Sequence, residues 1–596
     1  MSGLAVAWSI ARYEIILIMR SWAFRIFSAL ALSAATLVTV AVALPRDVTF
    51  FFNRAMSGAF PLLAIKLFNV FLGLISVFLA TEFLKRDRKQ DTSQVYFTHS
   101  FSNAAYILGK FLGIFALIFL LLLLVLVFTG IIHIFFSRTP FASLPYVLYV
   151  IFMGLPTVLF MVGLSVFLGS LIPSQAVVYL IALVYAFFVL VVVGPNAFFV
   201  FDSFAYFTPV MYSDFIGLGN LRDLILLRGA YAALGMALIL GAALLMKRLR
   251  QASWLNRTAA GLAVGLTAAA VVLFAVYMGE KTAAVAYRAE LKAQSAEPAA
   301  QSAMTLEACD IRLKPEGNAV SAEADLTLAN RTEAPLETVL LAINPGLKVG
   351  SVRGPNGPLP FEQKNHLVTV RTSGKIGPAG DIRLTLSYAG EIDERYCFLD
   401  IGDSRYWSPL RFWLVTVPKR YAIVTESFIH LPPESGWYPR PGLPPALMFP
   451  RTIKRDFTSY SLAVTLPAGL TAVSQGALSE SRSGSDKVFK FQPEGLLPQI
   501  SLTAGRYARK AITVDDKDYA LYTLAGHDGF LPLLSEIKAD LPAIIKQLKN
   551  EYEVLLGLSY PYKRFALVEL PIQITSYNRL WNTAQEQVQP EIVFLP

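Results

Sequence analysis

Seven long apolar runs lie in the first half of this chain and set the limits on its fold. Each reaches the length of about 20 residues that a helix needs to cross the hydrocarbon core of a bilayer. With 55% hydrophobic residues and a mean hydropathy of +0.52, the chain is too apolar for one soluble globule. The sequence therefore predicts an α-helical transmembrane bundle of about seven spans, at 22–44, 60–83, 106–136, 146–172, 176–200, 224–246 and 258–278.

The basic residues near the span ends predict an orientation. They cluster in 12–25, 85–89 and 247–257, all on one side of the predicted membrane, whereas the opposite loops hold only scattered arginines. The positive-inside rule then places the N-terminus in the cytoplasm. Seven crossings deliver residues after about 280 to the outside of the cytoplasmic (inner) membrane, which is the periplasm in a cell with two membranes. The formal net charge of +10 reflects this topology, so nucleic acid is not an expected partner.

The charged loop after the second span, TEFLKRDRKQDTSQVYFTHSFSNAAYILGKFLG at 81–113, carries the clearest pattern in the membrane half. It resembles the corresponding loop in membrane subunits of type-2 ABC exporters, where a basic, acid-punctuated stretch ending in Thr precedes a short cytoplasmic helix and a Leu-Gly-Lys return. Asp91 departs from that pattern, which has Gly there. The resemblance implies a type-2 ABC permease-like domain of six spans over 1–257, followed by a seventh helix at 258–279.

Such a loop can form an amphipathic helix that binds in a groove of a soluble ATP-binding subunit. The residues that the resemblance assigns to this coupling are Arg86, Asp87, Arg88, Lys89, Thr92, Tyr96 and Lys110. The alternative is an ordinary cytoplasmic loop, basic because of its location, with Tyr96 at the membrane interface.

ATP hydrolysis itself must come from a partner. The chain has no Gly-x-x-x-x-Gly-Lys-Ser/Thr loop, because LGKFLG and SGKIGP lack both its spacing and its hydroxyl. We therefore expect no cofactor in this chain, a separate ABC ATP-binding subunit that carries the ATP, and a dimer of permease halves as a further possibility.

Lys66, Asn69 and Arg228 are polar residues at or within the predicted spans. Ions within a membrane are candidates for function. Lys66 and Arg228 lie near the predicted outer ends of their spans, and the simpler expectation is that both side chains extend to the interface.

The pattern changes after the last span. Residues 280–304 are Ala-rich and predict a linker or helical stalk. Beyond it, apolar and polar residues alternate, as in SAEADLTLAN and DIRLTLSYAG, which indicates half-buried antiparallel strands. Turn signals such as NPG, GPNGP and PPESG separate them. The outer part is therefore predicted to be all-β, with further strands near 336–343, 366–372, 409–416, 421–430, 458–465 and 487–492.

The order of these strands, with LTLSYAGEI, GWYPRPG and SLTAGRY, resembles the N-terminal β-domain of the aminopeptidase N family of zinc metallopeptidases. The resemblance implies such a β-domain over 305–510. It continues into LKNEYEVLLGLSYPYKRFALVELP, which is similar to the opening of the family's α/β catalytic domain. Residues 511–596 would be the incomplete beginning of that domain, and the chain a portion of a longer protein.

One site residue follows from this resemblance. TAQEQ at 583–587 occupies the position of the family's Gly-Ala-Met-Glu-Asn loop, so Glu586 would bind a substrate's free amino group. A solvated loop glutamate is an equal alternative. None of the five histidines begins a His-Glu-x-x-His motif, so we expect no metal site and no peptidase activity in this chain as it stands. Zinc and activity would require a longer parent protein.

The two cysteines, Cys309 and Cys397, both fall in the outer part and could form a disulfide or remain buried thiols. Taken together, the sequence predicts a membrane subunit of an ABC-type transporter with an extracytoplasmic aminopeptidase-like domain. Two alternatives stay open. One is a membrane-anchored zinc aminopeptidase whose metal site lies beyond this chain, and the other is a non-catalytic peptide-binding domain on a transporter, with peptides as partners. The transported substrate is not encoded in any recognisable motif.

Overall fold

The chain folds into two compact units. Unit 1 comprises Met1–Asp214, Leu218–Thr282 and Pro409–Pro418, and unit 2 comprises Phe215–Gly217, Ala283–Ser408 and Lys419–Pro596. Each unit therefore contains a short segment from the part of the chain that mainly builds the other. The computed structural model describes residues 3–43, 56–87, 101–137, 139–246, 253–296, 304–412, 415–442, 456–527, 540–577 and 588–595.

Unit 1 is helical. An N-terminal helix with an exposed and a buried face precedes the long apolar helices, and the last helix continues into unit 2. In chain order the helices are α1 (Gly3–Arg20), α2 (Trp22–Ala43), α3 (Ala59–Asp87), α4 (Asn103–Phe136), α5 (Leu144–Tyr149), α6 (Leu155–Leu171), α7 (Gln175–Phe187), α8 (Leu221–Leu245) and α9 (Ser253–Ala296).

Two of the helical spans contain a widened turn. A π-helical segment, Val150–Gly154, joins α5 to α6, and a second one, Phe188–Val193, extends α7. With these joined, seven helices among the described residues are long and apolar enough to cross a membrane, which confirms the number of candidate spans. Most of their bounds lie within a few residues of the predicted ones, but the fifth span ends at Val193 and not at 200, and α9 does not stop at 278.

The predicted linker at 280–304 is largely helical. α9 continues without a break through Ala296, and its residues from Ala283 belong to unit 2. Residues 297–303 of the predicted linker lie outside the described residues.

Unit 2 is built mainly of strands, as the alternating pattern predicts. They are β1 (Met304–Glu316), β2 (Ala319–Asn330), β3 (Leu336–Ala342), β4 (Leu347–Gly354), β5 (Gly357–Pro358), β6 (Phe361–Lys364), β7 (Leu367–Ile376), β8 (Asp381–Glu391), β11 (Ile423–Val424), β12 (Ile429–Leu431), β13 (Arg440–Pro441), β14 (Ser459–Pro467), β15 (Thr471–Val473), β16 (Ala477–Ser483), β17 (Asp486–Gln492), β18 (Leu502–Gly505), β19 (Tyr507–Val514), β20 (Lys517–Leu524), β21 (Arg564–Glu569), β22 (Val588–Gln589) and β23 (Ile592–Leu595). The remaining pair, β9 (Leu410–Phe412) and β10 (Val415–Val417), forms a hairpin in unit 1.

The main sheet of unit 2 has eight strands in the order β16-β17-β14-β1-β2-β8-β4-β5. β1 pairs with β2 in antiparallel and with β14 in parallel orientation. The inward-facing residues of this sheet pack with those of two four-stranded sheets, β13-β3-β7-β6 and β11-β12-β18-β15, into one large hydrophobic core around Trp437 and Tyr438.

A smaller five-stranded sheet follows, in the order β19-β20-β21-β23-β22. β19 runs across the predicted domain boundary at 510. The helix α11 (Leu541–Leu556) precedes β21, after the short helix α10 (Asp403–Trp407). The last strand, β23, pairs with β21 in parallel and with β22 in antiparallel orientation.

Candidate functional site

A buried carboxylate holds three helices of unit 1 together at the base of the predicted coupling loop. Glu14 of α1 is 1% exposed, and its Oε2 lies 2.7 Å from Arg86 Nη2 at the end of α3 and 2.7 Å from Lys110 Nζ near the start of α4. Arg86 also donates to Glu14 Oε1 at 2.8 Å. One carboxylate thus joins the two ends of the loop to the N-terminal helix.

Asp87 completes this cluster with a second negative charge. Its Oδ2 lies 2.5 Å from Lys110 Nζ and accepts a hydrogen bond of 2.5 Å from the Tyr106 hydroxyl. The two carboxylates and two cations balance, so the group carries no formal net charge. We call Glu14, Arg86, Asp87, Tyr106 and Lys110 the stem cluster. A buried cluster of this kind is stable only while every member stays paired.

Glycine in α4 permits the close approach that the stem cluster requires. A Cβ placed on Gly109 would lie 2.7 Å from the Ala7 carbonyl oxygen and 2.7 Å from Ile10 Cβ, both on α1. One turn on, a Cβ on Gly113 would lie 2.8 Å from Glu14 Cβ. The Leu-Gly-Lys return therefore has two physical roles, contact with α1 through Gly109 and charge pairing through Lys110.

The structure brings together only part of the predicted coupling residues. Arg86, Asp87 and Lys110 are in the stem cluster, and Tyr106 joins them. Arg88, Lys89, Thr92 and Tyr96 lie outside the described residues, as does Glu586. Sequence reasoning missed Glu14. The signal was present, because Glu14 is the single acidic residue in the otherwise apolar and basic stretch of α1.

A second polar group lies deep among the helices of unit 1 and corrects the expectation for Arg228. This side chain is 1% exposed and does not extend to an interface. Its guanidinium donates to the carbonyl oxygens of Phe152, Asp202 and Ser203 and to Thr157 Oγ1, at 2.8 to 3.1 Å. The loop after α7 supplies two of these oxygens, so Arg228 fixes that loop to the bundle.

The other two polar residues singled out in the predicted spans are buried as well. Asn69 donates to Thr157 Oγ1 at 3.0 Å and to the Phe204 carbonyl oxygen at 2.6 Å. Lys66 is 3% exposed, and its Nζ donates to Thr416 Oγ1 at 2.9 Å. The interface location expected for Lys66 was therefore also wrong, because the β9–β10 hairpin covers its ammonium.

Unit 2 contains a different kind of buried cation. Arg288, on the part of α9 in this unit, is fully buried, with its guanidinium 3.5 Å from the centre of the Tyr406 ring. Neutral oxygens surround it, namely the carbonyl groups of Arg395 at 2.6 Å, Cys397 at 2.8 Å, Phe398 at 2.5 Å and Ile401 at 3.5 Å. Asp403 lies at the edge, 3.5 Å from Arg288 Nε and 2.6 Å from Lys292 Nζ. These contacts attach the end of α9 to the irregular segment after β8.

The cysteines are free thiols in this structure. Cys309 lies in the main core of unit 2, and Cys397 lies in a separate cluster with Phe398, Tyr406 and Tyr421. Burial raises the pKa of both thiols, so neither favours the reactive thiolate. This arrangement agrees with the alternative of two buried thiols.

The described histidines do not form a metal site. His133, His366, His430 and His527 lie on separate elements; His99 is not among the described residues. Each has a nearby side-chain partner, which is, in the same order, Tyr146, Ser295, Thr503 and Glu569. Over the described residues, no three His, Cys, Asp or Glu side chains come together as metal ligands would. These residues do not fit the zinc site of an aminopeptidase, and no chemical step is assigned through zinc.

Comparison with known proteins gives a partial likeness. No family model and no curated protein matches the chain. Among solved structures, the M1 zinc metallopeptidase from Deinococcus radiodurans is similar, with 18% identity, a TM-score of 0.34 and coverage of 46% of this chain and 59% of that chain. A mutant of it bound to the substrate Tyr-Ser-Ala gives 16% identity, a TM-score of 0.33 and coverage of 46% and 58%. This chain therefore spans a little over half the length of the proteins it resembles.

Proposed function

We propose that this protein is the membrane subunit of an ABC-type transporter that works with a separate ATPase and carries an extracytoplasmic aminopeptidase-like domain. The observation that carries the proposal is the stem cluster. Glu14 binds residues toward both ends of the predicted coupling loop, and its carboxylate and Lys110 are buried, while Arg86 is partly exposed. A solvated loop without a mechanical role does not require such a contact.

The stem cluster suits the transmission of force. Arg86 lies toward one end of the predicted loop, on α3, and Lys110 toward the other, on α4, while Glu14 lies on a third helix, α1. When an ATP-binding subunit pushes on the loop, the buried ion pairs would move α1, α3 and the start of α4 together. Separation of any two members would leave an uncompensated charge, which costs several kcal/mol, about 3–5. The helices are therefore expected to move as one body.

The proposed location follows from the distribution of charge. The loop 88–100 and the N-terminus would face the cytoplasm, where the ATPase is, and unit 2 would lie outside. Cysteine labelling with an impermeant reagent in intact cells tests this. We expect reaction at Ser483→Cys and none at Ser93→Cys, and the opposite pattern would contradict the orientation.

Association with an ATPase is the decisive test. The full chain would be co-expressed with each ATP-binding subunit encoded in the same genome, purified as a complex and assayed for ATP hydrolysis. Charge reversal in the loop, Arg88→Glu with Lys89→Glu, is expected to abolish association. Lys247→Glu with Arg248→Glu is the matched control, because it makes the same charge change on the same predicted side of the membrane.

Two results would defeat the proposal. One is that the loop variant binds the ATPase as well as the control does. The other is that no ATP-binding subunit associates with the unaltered chain.

A variant of the stem cluster tests coupling separately from binding in the same experiment. Glu14→Gln leaves the loop's own sequence intact, so we expect the variant to bind the ATPase. The complex should then hydrolyse ATP without the conformational response of α1. Fluorescence from a reporter on α1 would detect that loss, and an unchanged response would show that Glu14 has no part in coupling.

A further inference from the structure

The Lys66 ammonium is buried, but its described contacts are with uncharged groups. A buried ammonium carries three N–H donors and one positive charge. Here the described contacts are one hydrogen bond to a neutral hydroxyl, Thr416 Oγ1, and the face of the Tyr206 ring 5.2 Å away. Neither group supplies a negative charge. An ammonium so placed pays the cost of burial without a paired anion.

A second cation of unit 1 lies over the ring next to the one that Lys66 faces. Arg411, on the β9–β10 hairpin, lies over the Phe207 ring at 5.7 Å, and its charge acts on Lys66. The rings of Tyr206 and Phe207 meet edge to face at 5.0 Å. The two cations thus face two adjoining aromatic rings, and among the described residues neither of them forms an ion pair.

The acidic group whose charge acts on Lys66 is held by other hydrogen bonds. Asp202 is the carboxylate whose charge acts on Lys66. Its oxygens accept hydrogen bonds from the backbone N–H groups of Tyr206, Phe207 and Thr208 and from the Thr208 hydroxyl, at 2.7 to 2.9 Å. These bonds hold Asp202 inside its own loop. It therefore reduces the positive field at Lys66 without neutralising it by contact.

We propose that Lys66 and Arg411 form a binding site for an organic carboxylate in unit 1, in which the Thr416 hydroxyl occupies the position of a ligand oxygen. Lys66 would bind one carboxylate oxygen as a point charge, and the guanidinium of Arg411 is suited to bind the other. The Tyr206 and Phe207 rings would contact an apolar group attached to the carboxylate.

The hairpin controls access to this site. Thr416 and its neighbours Val415 and Val417 are buried, whereas Arg411 is exposed. A ligand oxygen can reach Lys66 only when Thr416 moves away, so binding exchanges a neutral acceptor for a charged one. Charge-assisted hydrogen bonds are roughly twice as strong as neutral ones, which favours the exchange. This site goes beyond the proposed function, and it requires no ATPase.

The experiment uses the full chain in lipid nanodiscs and isothermal titration calorimetry. The probe is N-acetylphenylalanine, and its C-terminal amide is the matched neutral compound. We expect the acid to bind and the amide to bind at least about tenfold more weakly, because the charge-assisted contact is lost. Equal binding of the two compounds, or no binding of the acid at millimolar concentration, would overturn the proposal.

Variants locate the binding. Lys66→Met is expected to weaken binding of the acid about tenfold. Lys281→Met is the matched control, since Lys281 also lies over a ring, Tyr277 at 5.4 Å, but is neutralised by Asp223 at 2.6 Å. It should leave binding unchanged. If Lys66→Met and Lys281→Met both bind like the unaltered chain, Lys66 is not the site.

Two further variants test the same site independently, in case Lys66→Met does not fold. Arg411→Gln alters an exposed side chain and should weaken binding several-fold. Thr416→Val removes the competing hydroxyl and should strengthen binding about fivefold, the equivalent of one neutral hydrogen bond. An opposite sign for either change would contradict the assignment. Inorganic phosphate serves as the competitor, and its preferential binding would overturn the carboxylate class.

Discussion

The stem cluster of unit 1 and the Arg288 site of unit 2 bury positive charge in different ways. In unit 1, Lys110 is buried against two carboxylates, Glu14 and Asp87. In unit 2, Arg288 is buried against backbone carbonyl oxygens and an aromatic ring. Both arrangements offset the loss of hydration. In the first, stability depends on the charge of each member, whereas in the second it depends on the shape of the donor.

This difference separates what each region can do. An ion cluster without net charge couples its members strongly, since removal of one leaves another uncompensated. A guanidinium among carbonyl groups acts as a fixed hydrogen-bond donor, because its removal leaves no uncompensated charge on the neutral carbonyl groups. The stem cluster therefore suits a moving part, and the Arg288 contacts suit a permanent attachment.

The largest effect is expected for Glu14→Gln. Arg86 and Lys110 would then share the single carboxylate of Asp87, and the free energy of unfolding should fall by about 3–5 kcal/mol. Unfolding of the solubilised chain in increasing denaturant would measure this. Glu337→Gln is the control, because Glu337 and Lys375 form a solvent-exposed pair that contributes about 0–1 kcal/mol. A loss at Glu14 no greater than the control's would remove the distinction between the two regions.

The next effect concerns Arg288→Met. It would leave the carbonyl oxygens of Arg395, Cys397 and Phe398 buried without their donor, and we expect a loss of about 3 kcal/mol. Arg288→Lys should lose nearly as much, because an ammonium keeps the charge but not the planar fork. The local readout is the rate at which Cys397 reacts with a thiol reagent, with Cys309 as the internal control. Full rescue by lysine would mean that charge is what matters here too.

Gly109→Ala tests the closeness of α1 and α4. An alanine in a helix is normally more favourable than glycine by about 1 kcal/mol. At Gly109 the new methyl group would overlap the backbone of α1, so a net loss of about 2 kcal/mol is expected. Gly261→Ala in α9 is the matched control, because nothing lies within 4 Å of its Cβ position. Thermal unfolding of both variants decides the matter, and stabilisation at both positions would contradict the close contact.

At neutral pH the smallest effect is expected for two buried histidines of unit 2, whose contribution to stability depends on pH. Burial lowers the pKa of His366 to about 4 and that of His430 to about 3. The unfolded chain takes up these protons near its ordinary pKa of about 6.5. Stability is therefore complete above that value and falls as the pH drops toward 4, by up to about 1.4 kcal/mol per pH unit for each histidine. Unfolding measured at several pH values should show a shallower dependence in His366→Gln, and an unchanged slope would argue against a neutral buried imidazole.

The sequence predicted the regular parts of both units. Seven apolar runs became seven helices of membrane-spanning length, because length and hydrophobicity alone decide that element. The alternating strands near 336–343, 458–465 and 487–492 became β3, β14 and β17 within a few residues. The segment 421–430 formed two short strands around a turn, since Thr425 binds back to the Phe428 backbone and interrupts the extended chain.

Contacts between residues far apart in the sequence were harder to predict. The importance of Arg86, Asp87 and Lys110 was inferred from a local pattern, but their partner Glu14 is far away in the sequence. The burial of Lys66 was missed for the same reason, because its hydroxyl partner Thr416 comes from the other half of the chain. A span's own sequence cannot indicate whether a polar side chain near its end will meet water or a distant hairpin.

The position of β1 in the middle of the eight-stranded sheet constrains how a newly made chain can assemble. One edge of β1 is satisfied at once by β2, but the other edge pairs with β14, which the ribosome adds only after β3 to β13. Until Pro467 has been synthesised, that edge presents free N–H and C=O groups that another nascent chain could pair with. Pairing between strands so distant in sequence is also slow. During synthesis there is therefore a period in which the unpaired edge of β1 can aggregate with other chains. This period lengthens when elongation slows, and a chaperone that binds strand edges would shorten the time for which the edge is exposed.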